Sequence, residues 1–232
     1  MVEGRRRRFV HILVLMVGVM TGGAVFAQST PPNAAKPVNA ANDKPVKLVV
    51  LGDSLSAGYG LPAAAAFPVR LQKALKDRGV DVDMINAGVS GDTSSGGRDR
   101  LDWSIAEGTQ AVIVELGAND ALRGIDPRIT RAALTDIVSR LKGRGIAVML
   151  CGMLAPPNYG ADYADRFNSI YPDLARTFEV PLYPFFLDGV AADSRLNQAD
   201  GIHPTAEGVD IIVKNMLPTV ETFLRPIRPQ HS

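Results

Sequence analysis

The chain has 232 residues, 46% hydrophobic and 21% charged, with a formal net charge of +1, a balance that suits one globular domain around a single sizeable core. Its one cysteine, Cys151, excludes an intramolecular disulfide and a CxxC metal or redox site, and reads as core filling. The only basic cluster, Arg5 to Arg8, stands directly before an apolar run, which favours export over a nucleic-acid patch.

In chain order, that arginine block is followed by the apolar run Phe9 to Met20 and by small residues, Ala24 to Ala27, before Gln28. This pattern predicts a signal peptide over residues 1–27, cleaved near Ala27/Gln28, and a periplasmic or secreted product. An uncleaved anchor is the alternative, but Thr21, Gly22 and Gly23 interrupt the run well short of a membrane span. Cleavage leaves 21 basic and 23 acidic residues, near −2, with no basic cluster, so nucleic acid is not an expected partner. Residues 28–45, rich in Pro, Ala, Asn and Ser, read as a flexible leader.

From Val46 the pattern changes. Apolar, β-branched runs at 46–51, 82–86, 111–116, 146–151 and 180–184 predict strands. Helical spacing separates them at 67–78, 97–105, 127–142, 162–178 and 205–224. Nearly continuous apolar strands alternating with amphipathic helices predict an α/β domain over 46–224, a parallel sheet of about five strands covered on both faces by right-handed crossovers. Residues 225–232 form a tail.

In such sheets ligands gather at the carboxyl ends of the strands. Gly52, Asp53 and Ser54 follow the first strand; Gly88 follows the second; Gly117, Ala118, Asn119 and Asp120 follow the third. Asp53 and Ser54 read locally as helix caps. A hydroxyl, a close-approach glycine and a carboxamide on one rim also suit acyl transfer, which needs a nucleophile and oxyanion donors. Of three histidines, His11 lies in the signal segment and His231 is penultimate, leaving His203 with Asp200 three residues before it. That pair either organises its turn or supplies a base and its orienting carboxylate.

"GDSLSAGYG", the glycine of "NAGVSGDTSSGG", the asparagine of "GAND" and "DGIHP" occur in the order of the four blocks of the SGNH (GDSL) hydrolases. The chain resembles that family from about Lys47 to Phe223, and its bacterial periplasmic arylesterase, acyl-CoA thioesterase and lysophospholipase branch in particular. The resemblance implies a flavodoxin-like three-layer α/β/α fold and a serine ester hydrolase without cofactor or metal. It implies Ser54 as nucleophile, His203 as base and Asp200 as its orienter, with Gly88, Asn119 and the Ser54 N–H as oxyanion hole. Asp53 and Asp120 are then loop caps rather than catalytic acids.

Leu122, Ile125, Met153, Leu154, Pro156 and Pro157, in loops past the third and fourth strands, suggest an apolar acyl site for a lipid-like ester or thioester. They read equally well as loop packing, which keeps acetylated carbohydrate open as a substrate class. Rival readings are a metallo-phosphoesterase using Asp53, Asp92, Asp120 and Asp200, and a non-catalytic binding module; the first ordinarily needs several histidines. A monomer without a membrane span after processing is the expectation.

Overall fold

Strands that are apolar on both faces must be covered on both, and the computed structural model, which describes residues 44–227, has that form. Five parallel strands, β1 (Val46–Gly52), β2 (Val82–Gly88), β3 (Ala111–Glu115), β4 (Ala147–Cys151) and β5 (Leu182–Tyr183), lie in the order β2-β1-β3-β4-β5. Short helices α1 (Ser54–Ala57) and α5 (Ala118–Leu122) follow β1 and β3 directly. Both are too short to show a period; α1 is the helix that the cap reading of Asp53 and Ser54 implied, whereas α5 was not expected.

The crossover helices are α2 (Phe67–Asp77), α3 (Ser94–Asp99), α4 (Leu101–Ser104), α6 (Pro127–Gly143), α7 (Ala161–Asn168) and α8 (Ile170–Phe178); α9 (Ala206–Leu224) closes the fold. Helices α2 and α9 pack together, while α6 packs against α3 and α8, giving the two outer layers of an α/β/α sandwich. The direction in which successive strands are added to the sheet reverses between β1 and β3. That is the switch point at which a ligand crevice opens.

Helical spacing decides which faces go inward. Ala133, Leu134, Ile137, Val138 and Leu141 of α6 are fully buried, as are Val209, Ile212, Met216, Val220 and Leu224 of α9 to within 1%. Cys151 is buried among them, and desolvation pushes its thiol well above the ordinary range.

Three elements depart from expectation. The helix read over 162–178 is two helices that break at Ser169, because Pro172 has no N–H to continue the ladder. The helix read from Gly97 begins at Ser94, capped by Thr93 Oγ1 accepting from Gly96 N, and breaks at Arg100. Gly97 lies so close to β3 that a Cβ there would sit 2.3 Å from Leu116 Cδ1. Finally β5 spans two residues only: Val180 N donates to Ala175 O, and Pro181 and Pro184 carry no N–H.

Candidate active site

Strand register assembles the site. Gly52 lies opposite both Gly88 and Glu115, so the segments following β1, β2 and β3 leave the sheet at one edge. Past β1, Asp53 caps α1, its Oδ1 accepting from Leu55 N at 3.0 Å, and Ser54 is the first residue of that turn, 8% exposed. His203 Nε2 stands 2.9 Å from Ser54 Oγ across 149 residues of chain.

On its other side, His203 Nδ1 lies 2.7 Å from Asp200 Oδ2. The second carboxylate oxygen accepts from Ile202 N at 2.9 Å and His203 N at 3.0 Å. Backbone bonds from His203 and Ile202, then the imidazole itself, hold the Asp200 carboxyl down to about 2. An ionised Asp200 fixes the proton on Nδ1, leaving the Nε2 lone pair to accept from the Ser54 hydroxyl.

Asn119, in the first turn of α5, donates from Nδ2 to Asp53 Oδ2 at 3.1 Å, and its Oδ1 receives Arg123 at 3.5 Å. Its amide is thereby oriented with one Nδ2 hydrogen uncommitted. At Gly88 a Cβ would lie 2.5 Å from Ala57 N, so glycine allows β2 and α1 to approach. The Gly88 N–H donates to Asn86 Oδ1 at 3.0 Å, so it can serve an oxyanion only as a shared donor. The first-turn Ser54 N–H has no intrahelical acceptor.

The other loop acids are occupied. Asp120 accepts from Ser94 N, Ser94 Oγ and Thr130 Oγ1 at 2.8, 2.5 and 2.9 Å, and Asp92 pairs with Arg100 Nε at 2.5 Å. Among the described residues, no group of three or more His, Cys, Asp or Glu side chains is placed to share a metal ion.

Two buried side chains beneath the site escaped sequence reading. Arg100, 7% exposed, donates to Gly52 O and Ala87 O, both at 2.8 Å, tying the ends of β1 and β2 together. Glu115, fully buried, accepts weakly from Asp53 N at 3.4 Å with Oε2 and is also approached by Ser56, while Oε1 has no geometrically good hydrogen bond among the described residues. Burial, then the Asp53 charge, raises its carboxyl well above the ordinary range; burial likewise lifts Asp53 to about 6.

A cavity of about 490 Å³ opens beside Ser54 and His203. Leu122, Met153, Leu154 and Pro156 line it, whereas Ile125 and Pro157 are not among its lining residues. Ile125 instead offers its carbonyl to Tyr163 Oη at 2.9 Å, and Pro157 is exposed at the start of a 3₁₀ turn. Phe185, Leu187, Ala191 and Ala192, from the stretch just past β5 whose apolar "FFL" was the available signal, also line it. A larger cavity of about 620 Å³, between β4, α6 and the end of α9, holds none of these site residues.

The family model of GDSL-like lipases and acylhydrolases matches residues 50–211. An arylesterase of Vibrio mimicus is 43% identical over 171 residues, covering 73% of this chain and 86% of that protein. The thioesterase 1/protease 1/lysophospholipase L1 of Escherichia coli K12 is 39% identical over 178 residues, covering 75% and 84%. The crystal structure of TesA superposes with a TM-score of 0.73 at 40% identity, covering 77% of this chain and 99% of that one. Matched family model, parallel sheet and strand-end residues agree, and the chain belongs to the GDSL-like lipase/acylhydrolase family of ester-hydrolysing enzymes.

Proposed function

We propose that the protein hydrolyses carboxylic esters and thioesters of apolar acyl groups through an acyl-enzyme on Ser54. The observation that carries this reading is the Ser54–His203–Asp200 chain, 2.9 and 2.7 Å, at the mouth of an apolar cavity. Ser54 Oγ attacks the carbonyl carbon as its proton passes to His203 Nε2, and Asp200 stabilises the imidazolium. The Ser54 N–H and the uncommitted Asn119 Nδ2 hydrogen receive the oxyanion, with Gly88 N sharing its proton. The imidazolium protonates the departing alcohol or thiol; His203 then deprotonates a water that releases the acid.

Two features support the acyl chain as the part that fills the cavity: its lining is largely apolar, and the names of the relatives include thioesterase and lysophospholipase activities. The test is a hydrolysis screen across p-nitrophenyl esters, acyl-CoAs, lysophospholipid and acetylated sugars, with Ser54→Ala as blank. Turnover of acyl esters and thioesters, abolished by the substitution, is the expected result. Preference for acetylated sugars would move the substrate class while keeping the serine chemistry.

Export belongs to the same proposal. Residues 1–27 lie outside the described residues, as do most of the leader, His11, His231 and residues 228–232; among the described ones no helix is long and apolar enough to cross a membrane. N-terminal sequencing of exported protein is expected to begin at Gln28.

A further inference from the structure

Tyr59 is half exposed at 52%, and its hydroxyl makes no hydrogen bond among the described residues, yet its backbone is tightly held. Its N–H donates to Ser54 O at 3.1 Å and its carbonyl accepts from Gln198 Nε2 at 2.8 Å. Glycines flank it in left-handed conformations, Gly58 at φ 83° and Gly60 at φ 73°, so the chain doubles back and projects the ring. A Cβ on Gly60 would strike Gln198 Oε1 at 2.2 Å. The backbone that carries the tyrosine is therefore held in place, and the ring lies against His203, tilted, with the ring centroids 4.6 Å apart and the planes at 38°.

Gln198 makes the contact a clasp between two loops. Its N–H donates to His203 O at 2.7 Å, and its Nε2 reaches Pro204 O at 2.9 Å as well as Tyr59 O. One side chain thus joins the Ser54 loop to the His203 loop.

We propose that Tyr59 is a positioning residue whose ring holds the His203 imidazole over Ser54 and stabilises the imidazolium as it forms. The inference rests on the reading of His203 as the base. When Nε2 takes the Ser54 proton the ring becomes a cation, and a cation within about 6 Å of an aromatic face is attracted by its quadrupole. That attraction is absent from the neutral resting state, so it acts on the transition state rather than on substrate binding. Asp200 fixes the imidazole at its edge, and Tyr59 fixes it at its face.

The experiment compares kcat, KM and Tm of Tyr59→Phe, Tyr59→Leu, Gln198→Ala and Ser54→Ala on p-nitrophenyl butyrate. Tyr59→Phe keeps the ring and is expected to stay within about twofold of wild type. Tyr59→Leu keeps bulk but no π face, and is expected to lower kcat about five- to tenfold with KM and Tm nearly unchanged. Gln198→Ala is expected to lower kcat in the same direction, and to add little to Tyr59→Leu. Equal kcat for the Leu and Phe variants, or an effect on KM alone, overturns the proposal. Should the Leu variant fail to fold, Gln198→Ala decides: wild-type kcat overturns it, reduced kcat at unchanged KM and Tm supports it. Wild-type turnover by Ser54→Ala would instead defeat the underlying mechanism, so the two failures are distinguishable.

Discussion

A serine hydroxyl is a poor nucleophile at neutral pH, and in the proposed mechanism the 2.9 Å contact of Ser54 Oγ with His203 Nε2 is the feature that changes this. Replacing either residue by Ala is expected to lower kcat by roughly 10⁴ or more, and the double variant to lose little further, because the pair acts as a unit. Asn119→Ala is expected to cost about 10²–10³ in kcat with a small change in KM, since its amide meets charge that appears in the transition state. Normal kcat in a folded Asn119→Ala protein would remove it from the oxyanion hole. The strand-end rule and the one remaining histidine made these residues candidates, the resemblance of four ordered blocks gave them roles, and the structure brings Ser54, His203 and Asp200 together. Glu115 and Arg100 were not legible in the sequence. A carboxylate that ends an apolar run looks like a strand terminus, and an arginine in a helical stretch looks like surface, until register puts both under Ser54.

At the scale of the element, β3 carries a cost that its neighbours do not. Glu115 is buried with one oxygen lacking a good hydrogen bond among the described residues, and its carboxyl is raised, so the folded state favours the protonated form. Such a contribution is fully present below the ordinary glutamate range and is lost as pH rises toward the folded-state value. Urea unfolding of wild type against Glu115→Gln is therefore expected to show wild type falling behind as pH rises above about 4.5, with a limiting slope of about 1.4 kcal/mol per pH unit for one proton. A difference independent of pH would mean that the carboxyl ionises alike in both states. In α6, Ile137→Ala is expected to cost about 2–5 kcal/mol in the same assay, because the side chain is fully buried and its removal leaves a cavity that the surroundings fill only in part.

The elements themselves were legible wherever hydrophobic period was long, as in α6 and α9, and illegible where a local backbone rule overrode it. Pro172 split one helix and prolines shortened β5. Helices α1 and α5, each within one or two turns, leave no periodic trace, although Asp53 before Ser54 is the cap that starts the first.

Over the whole molecule, Ser54, Gly88 and Asn119 follow strand ends at one edge of the sheet, His203 stands against Ser54, and the cavity beside them joins loops past β3, β4 and β5. The β5 wall could not be assigned from sequence alone, because nothing local distinguishes Phe185 and Leu187 facing a groove from the same residues filling a core. If the acyl chain occupies this groove, kcat/KM is expected to rise along p-nitrophenyl esters from acetyl upward, by up to about 0.8 kcal/mol per buried methylene, until the groove is full. A flat or falling series would show that the acyl chain does not occupy this groove.

In the proposed mechanism a covalent acyl-enzyme forms on one hydroxyl, that of Ser54. Treating the protein with a fluorophosphonate and mapping the adduct by peptide mass spectrometry tests it directly. The account predicts a single stoichiometric adduct on Ser54, complete loss of esterase activity in step with labelling, and labelling slowed sharply in His203→Ala. Full esterase activity in protein whose Ser54 is quantitatively labelled, or an inactivating adduct on another residue with Ser54 unmodified, would contradict it.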